Sequence, residues 1–587
     1  MKMKKLHRLV ILSSIFFCAA ISLIPSIVIA DNDHTIALVM KALTNPFFLK
    51  MEQGAKNFAK ENEIPLEVFG IINETDTFHQ ISIMESLISR NIGAIVLAPA
   101  DSKKLVPVCK KAIKKGITVI NIDNPLDNNL LSKEGLNIPF VGSNNQTGGE
   151  LLGQYIKQQL KGEGRVIVIE GIRGVENAEL RKSGFVKAVT KNSSIWIVAS
   201  ESANWKTEEA FSVTMKLLQK HPSIDAIFCA NDKMALGTLQ AIDILDLNKK
   251  ILIAGYDNIE SVRNEIRHKK IHATMEQHPE LMGAYGVMLA QKKINGEAVP
   301  DNLSTPLDII TYETFGKKVA FSISDMKNPF FVSMADGAQK AAELYGIELI
   351  INSAENSDSK QLMDLAQFQK SHPDIIILNP TNAESVVPGV EMAVMNKIPV
   401  ITVDRKSAGG KILCHVGPDN FEGGRMAARL LADILKEKGN IVEIEGIPGT
   451  SSSHDRGYGF NDELKKFDNI KIIAREAANF DREQAKQVMS KLLRENVYFD
   501  AVFAHNDNMI LGVADALSER KLSQNKILVG FDAMREAVQA VKTKKITATI
   551  AQHPQKMGRM ALEITAKYFR GEEIPSNIPL TLSVIKK

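Results

Sequence analysis

Four residues of this chain occur twice. Asn45-Pro46-Phe47-Phe48 returns as Asn328-Pro329-Phe330-Phe331, 283 positions later. Asp123 then matches Asp404 at an offset of 281. Gly142, Arg181, Trp205, Asn231, Asp257 and Gln277 match Gly417, Arg456, Phe480, Asn506, Asp532 and Gln552, all at 275. An offset held constant over 135 residues is the mark of a duplicated unit. The drop from 281 to 275 places an insertion of about six residues in the first copy, within Asn128–Asn137. A chain of 587 residues needs several cores in any case, at roughly 100–200 residues per domain.

The sequence divides into a leader and two copies: residues 1–30, 31–315 and 316–587. The leader opens with the basic MKMKKLHR, continues as an uncharged apolar run and turns polar after Val28-Ile29-Ala30. This pattern predicts a cleaved secretory signal and export to the periplasm, with an uncleaved membrane anchor as the alternative. Its four basic side chains, Lys2, Lys4, Lys5 and Arg8, account for the whole net charge of +4. The remaining body is electrically neutral and gives no reason to expect a nucleic-acid partner. Cys18, Cys109, Cys229 and Cys414 have no metal-ligand spacing, and the last three read as buried thiols.

Within each copy, short β-branched runs alternate with longer amphipathic stretches. In the second copy the runs Lys318–Ile323, Glu348–Asn352, Ile375–Leu378, Val400–Val403 and Ile412–Val416 read as strands. The helices between them are expected at Phe331–Tyr345, Ser359–Ser371 and Ala383–Asn396. A second series starts with a helix at Phe421–Gly439 and includes another at Gly457–Lys466. Such alternation predicts parallel sheets covered on both faces, an α/β chain with two doubly wound lobes per copy. Ligands of such sheets bind beyond the carboxyl ends of the strands.

Those strand ends carry the recurring polar residues. Asn379 follows Ile375–Leu378, Asp404 and Arg405 follow Val400–Val403, and Asn506 lies just past Ala501–Ala504. Asp532 follows Ile527–Phe531, and Gln552 follows Ile546–Ala551. With Phe330, Phe331 and Phe480, this is the chemistry a sugar requires. Amides, carboxylates and guanidinium groups each address two hydroxyls, and aromatic rings cover the CH face. P-loop, zinc-hydrolase and nucleophile-elbow motifs are absent from the sequence, which predicts a binder and not an enzyme.

On these motifs the chain resembles bacterial periplasmic sugar-binding proteins of the ribose/galactose type over essentially its whole length after the leader. In the second copy NPFF, LNPT, ITVDR, GIPGTSSSHDRGYGF, ANFDR and VFAHNDNMILG are similar to the ribose-binding branch. The resemblance implies sugar contacts at Ser324, Asn328, Phe330, Phe331, Asn379, Asp404, Arg405, Arg456, Phe480, Asn506, Asp532 and Gln552. The first copy, with MKALTNPFF, NIDNPLDNNLLSKEG and ANWKTEEA, is similar to the allose-binding branch. There the implied contacts are Lys41, Asn45, Phe47, Phe48, Asp123, Asn124, Arg181, Trp205, Asn231, Asp257 and Gln277.

The same resemblance implies two tandem type I periplasmic-binding-protein modules. Each has two lobes joined by a three-segment hinge, near Ser143, Gln277 and Pro306 in the first copy and near Pro418, Gln552 and Thr581 in the second. It implies up to two monosaccharides per chain, no cofactor and no metal. The expected partner is the membrane permease of an ABC importer, with a chemoreceptor as a further docking partner. A chemosensory or furanosyl quorum-signal receptor of the same fold is the alternative.

Overall fold

A computed structural model of the chain describes residues 34–90, 92–246, 250–522 and 526–587. The expected leader and Cys18 lie outside the described residues. Among those residues no helix is long and apolar enough to cross a membrane. The chain forms two compact units that divide between Ile309 and Ile310, inside the strand Asp308–Thr311.

Each unit contains two six-stranded sheets. In the first lobe of the first unit the strands run in the spatial order Leu66–Ile71, Ile36–Ala42, Ala94–Leu97, Thr118–Ile122, Phe140–Ser143, Asn302–Thr305, all parallel. Apart from the last strand this is the doubly wound order 2-1-3-4-5. The second lobe repeats it with Ser194–Ser202, Glu163–Glu170, Ala226–Cys229, Leu252–Ala254 and Ala273–Glu276, then Asp308–Thr311 at the edge.

The second unit has the same two orders. Its first sheet ends on Asn577–Leu580, which pairs parallel to Cys414–Pro418. Its second ends on Ser583–Lys586, antiparallel to Ala548–Ala551. The chain therefore passes between lobes three times per unit: after the fifth strand of each series and again between the two final strands. These are the crossings expected at Ser143, Gln277 and Pro306, and at Pro418, Gln552 and Thr581.

Both faces of the sheets are covered, as the unbroken apolar runs require. In Ile36–Ala42 the side chains of Ile36, Leu38 and Met40 join one apolar cluster, and those of Ala37 and Val39 join another on the opposite face. The repeated Asn-Pro opens a helix in each unit. Asn45 and Asn328 cap Pro46–Glu61 and Pro329–Tyr345 by accepting from Phe47 N and Phe330 N, with proline in the first turn. Each of these helices crosses the one that follows the second hinge crossing. A Cβ on Gly54 would stand 2.0 Å from Glu280 O, and one on Gly283 2.0 Å from Met51 O, so the two backbones touch there. The insertion in the first copy folds as a short helix, Asn128–Lys133, capped by Asp127.

Four expected boundaries move. The helix expected at Phe421–Gly439 ends at Leu435, where Lys436 turns left-handed, and Gly439 already belongs to the strand Lys438–Glu445. The helix expected at Ala383–Asn396 begins only at Val387, because Asn382 Oδ1 accepts from Glu384 N and Ser385 N and holds a turn instead. The helix expected at Gly457–Lys466 starts earlier, at Ser451, where Thr450 caps the serine run. The strand expected at Ile412–Val416 is Cys414–Pro418.

Candidate functional site

In the first unit the strand ends of the two lobes face one another across a cleft. Lys41, Asn45, Phe47, Phe48 and Asp123 line it from the first lobe, and Arg181, Trp205, Asn231 and Asp257 from the second. Lys41 Nζ lies 3.1 Å from Asp123 Oδ2 and 5.5 Å from the centre of the Phe48 ring. Arg181 is held on all sides. Its Nε donates to Asn145 Oδ1 (2.7 Å), Nη1 to Ala230 O (2.9 Å) and Nη2 to Gln277 Oε1 (3.2 Å), and its plane lies 3.8 Å over Tyr256. Gln277 Nε2 donates to Asp257 Oδ1 at 2.7 Å.

Two expected contacts stand back from the cleft. Gln277 is occupied in orienting Asp257 and Arg181. Asn124 is fully buried within the first lobe, where its Nδ2 donates to Ser102 Oγ at 3.2 Å. Two further residues line the cleft, Glu74 and Asn177. Glu74 Oε1 accepts from Asn45 Nδ2 at 3.0 Å. It follows the strand Leu66–Ile71, so strand-end reasoning reaches it, but nothing in the sequence separates it from an exposed loop carboxylate.

The second unit builds the same site with different neighbours around the same carboxylates. Ser324 Oγ donates to Asn379 Oδ1 at 2.6 Å, and Asn379 Nδ2 donates to Asp404 Oδ2 at 3.1 Å. Arg405 Nη1 donates to Pro380 O (3.2 Å), and its guanidinium lies 5.2 Å from the Phe331 ring and 5.5 Å from Phe480. Phe330 and Phe331 meet edge to face at 5.2 Å. Arg456 Nε donates to Asn420 Oδ1 (2.8 Å) and Nη1 to His505 O (2.5 Å), with Asp532 Oδ1 at 3.7 Å. Gln552 Nε2 donates to Asp532 Oδ1 at 2.6 Å, and Asn506 caps the next helix by accepting from Met509 N.

Burial sets the electrostatics. It raises Asp404, lifts Asp532 to about 7 against the pull of Arg456, and raises Asp257 well above the usual carboxylate range. It likewise lowers Arg405 and Arg456. Asp404 Oδ1, Arg405 Nε and Gln552 Oε1 are buried with no hydrogen-bond partner. Such atoms are costly unless something meets them.

The backbone carries strain at the same points. Asp123, Trp205 and Asp257 have φ of 66°, 64° and 116°, and their counterparts Asp404, Phe480 and Asp532 have 61°, 60° and 119°. Positive φ at non-glycine residues is uncommon and gathers at ligand clamps. Here it recurs at three equivalent positions in both units.

The sequence pattern of the periplasmic binding protein domain matches residues 36–298 and, a second time, 319–573. The chain belongs to the periplasmic binding protein domain family. Relatives of this periplasmic binding protein each correspond to about half of it. The D-ribose/D-allose-binding protein of Pseudomonas aeruginosa is 37% identical over 319 residues, 53% of this chain and 99% of that protein. The ribose import binding protein of Haemophilus influenzae is 37% identical over 46% of this chain and 91% of its own length. The D-allose-binding periplasmic protein of Escherichia coli is 35% identical over 45% and 86%. Among solved structures, an ABC transporter periplasmic solute binding protein from Actinobacillus succinogenes with bound D-allose is 36% identical, covers 48% of this chain and 98% of its own, and has a TM-score of 0.46.

Proposed function

We propose that this chain is a periplasmic solute-binding protein that captures monosaccharides between the lobes of each module and hands them to the membrane permease of an ABC importer. One observation carries the reading. In both units, buried amides, carboxylates and guanidinium groups from two lobes converge beside aromatic rings, and in the second Asp404 Oδ1, Arg405 Nε and Gln552 Oε1 have no hydrogen-bond partner. That arrangement suits a neutral polyhydroxylated ligand, whose hydroxyls donate and accept at once.

The finer reading is two sites per chain, ribose in the second module and a hexose such as allose in the first. Lobe closure about the three crossings would bury the sugar and form the surface a permease reads. The leader at 1–30 would direct export. Calorimetric titration of the full chain with ribose and allose should total two sites. A total of one, with one module silent to every sugar, defeats the two-site reading. Recovery of chemically altered sugar would defeat the binding reading itself.

A further inference from the structure

Behind the second site lies a charged network for which the first module has no counterpart. Glu443 and His505 are both fully buried, with Glu443 Oε1 3.0 Å from His505 Nε2. Glu443 Oε2 accepts from Arg475 Nε at 2.9 Å and from Asn461 Nδ2 at 3.0 Å. Arg475 is half exposed, so the network runs from solvent to the site. At its inner end His505 precedes Asn506, and its carbonyl oxygen accepts from Arg456 Nη1. The His505 ring Nδ1 stands 3.4 Å from both Gly446 N and Ser453 Oγ. Gly446 in turn has the Phe480 ring pressed against it: a Cβ there would fall 2.1 Å from the ring.

At the same offset of 275, the first module has Val168 for Glu443, Ala230 for His505, Ser200 for Arg475, Val186 for Asn461 and Ala178 for Ser453. The strand registers agree: Glu443 pairs with Arg475 as Val168 pairs with Ser200. Ala230 O still receives Arg181 Nη1. The carbonyl role therefore needs no ionisable side chain, and an apolar filling serves the fold. A buried ion pair is weak as a stabiliser and is often matched by apolar residues of similar volume. Its presence in one module alone asks for a reason other than stability.

We infer that Glu443 and His505 are positioning residues of the second site, which hold the Arg456–Asn506–Phe480 side of the pocket and couple sugar affinity there to protonation of the pair. The charged groups facing His505 are Glu443, then Arg475 behind it and Arg456 on the helix Ser451–Leu464. Arg456 in turn is attracted by Asp532, Asp404, Asp507 and Asp455. The inference rests on the sugar-binding reading of the second module.

The test uses the full chain with the first site disabled by Arg181→Ala, titrated with D-ribose from pH 5 to 9. The swap Glu443→Val with His505→Ala writes the first module's residues into the second. It should weaken ribose about tenfold, leave the melting midpoint of the chain unchanged or higher, and flatten the pH profile. The parent and the swap share Asp532 and Asp507, so the difference between their profiles belongs to the pair. Unchanged affinity and profile overturn the inference. So does a weakening that comes with a lower melting midpoint and an unaltered profile, which is mere structural support. Should the swap fail to fold, Arg475→Ser at the solvent end is expected to weaken ribose about threefold and to displace the profile; no displacement overturns the inference. A parent that binds no sugar at any pH overturns the functional reading, and the inference with it.

Discussion

The two sites share one frame and differ in how each surrounds its first-lobe carboxylate. In the second module Asp404 is flanked by Asn379 at 3.1 Å and by Arg405 at 3.9 Å, two fixed groups, with Ser324 holding Asn379 in place. In the first module Ala98 replaces Asn379 and Asn124 replaces Arg405, and Lys41 reaches Asp123 at 3.1 Å from the position of Ser324. One cation is thus removed and another returned on a flexible stem. Around the second-lobe arginine the partners keep their kinds. Arg181 and Arg456 keep an asparagine, a backbone carbonyl, an aspartate and an aromatic face as neighbours. The surroundings of the second-lobe arginine are thus common to both modules, and those of the first-lobe carboxylate differ.

The largest effect should come from removing that arginine. Arg456→Ala removes the cation 3.7 Å from buried Asp532, a loss of about 3–5 kcal/mol, so one site of two should vanish from a calorimetric titration while the other keeps its affinity. Loss of both sites, or of neither, would break the comparison.

Next comes the first-lobe difference. Arg405→Ala should weaken ribose roughly 30-fold, by about 2 kcal/mol, since Asp404 and the unpartnered Arg405 Nε sit together in the pocket. Lys41→Ser should act on the first site alone, and equal responses at both sites would erase the distinction.

Acidity separates the hinges by a few degrees of melting midpoint. Burial alone would lower His278, but its hydrogen bonds to Asp308 and Glu280 raise it to about 9. A raised histidine contributes stability that is whole below about 6.5, its unfolded value, and is lost as pH rises through 9. The second module has Ser583 where Asp308 stands and Gln555 for Glu280. His278→Gln should therefore abolish an alkaline loss of melting midpoint confined to the first module. Asp532, at about 7, acts in a lower window. Its share of stability is whole below about 4 and is lost as pH rises toward 7, a slope that Asp532→Asn should remove.

The smallest expected effect is at the ring. Trp205→Phe, which copies Phe480, should cost the first site about 0.5–1 kcal/mol, a few-fold in hexose affinity by titration. A larger loss would make the stacking surface the chief selector.

Much of this was legible in the sequence because duplication supplied a control. Chance resemblance does not put Asn, Asp, Arg, Asn, Asp and Gln twice in the same order, the last four at one offset of 275. What escaped were residues whose meaning depends on distance. Gln277 reads as a contact, and only its bonds to Asp257 and Arg181 show that its amide is already engaged. Glu74 looks like any loop acid until Asn45 is found beside it. The Glu443–His505 pair is invisible because the two residues lie 62 positions apart and the repeat, by lacking them, gave no hint.

The interleaving of the lobes bears on how the protein comes into being. The first sheet of the first module is closed by Asn302–Thr305, and its helix Pro46–Glu61 rests on Pro279–Ile294, both encoded after the whole of the second lobe's parallel series. The lobe begun first thus cannot close until the parallel series of the other lobe has been made, and Asp308–Thr311 then completes the second sheet. Until the chain has been made past residue 305, that sheet has an open edge and a bare helix face, the kind of surface that aggregates. The second module then repeats the same wait, closing its own first sheet only with Asn577–Leu580, within eleven residues of the end of the chain.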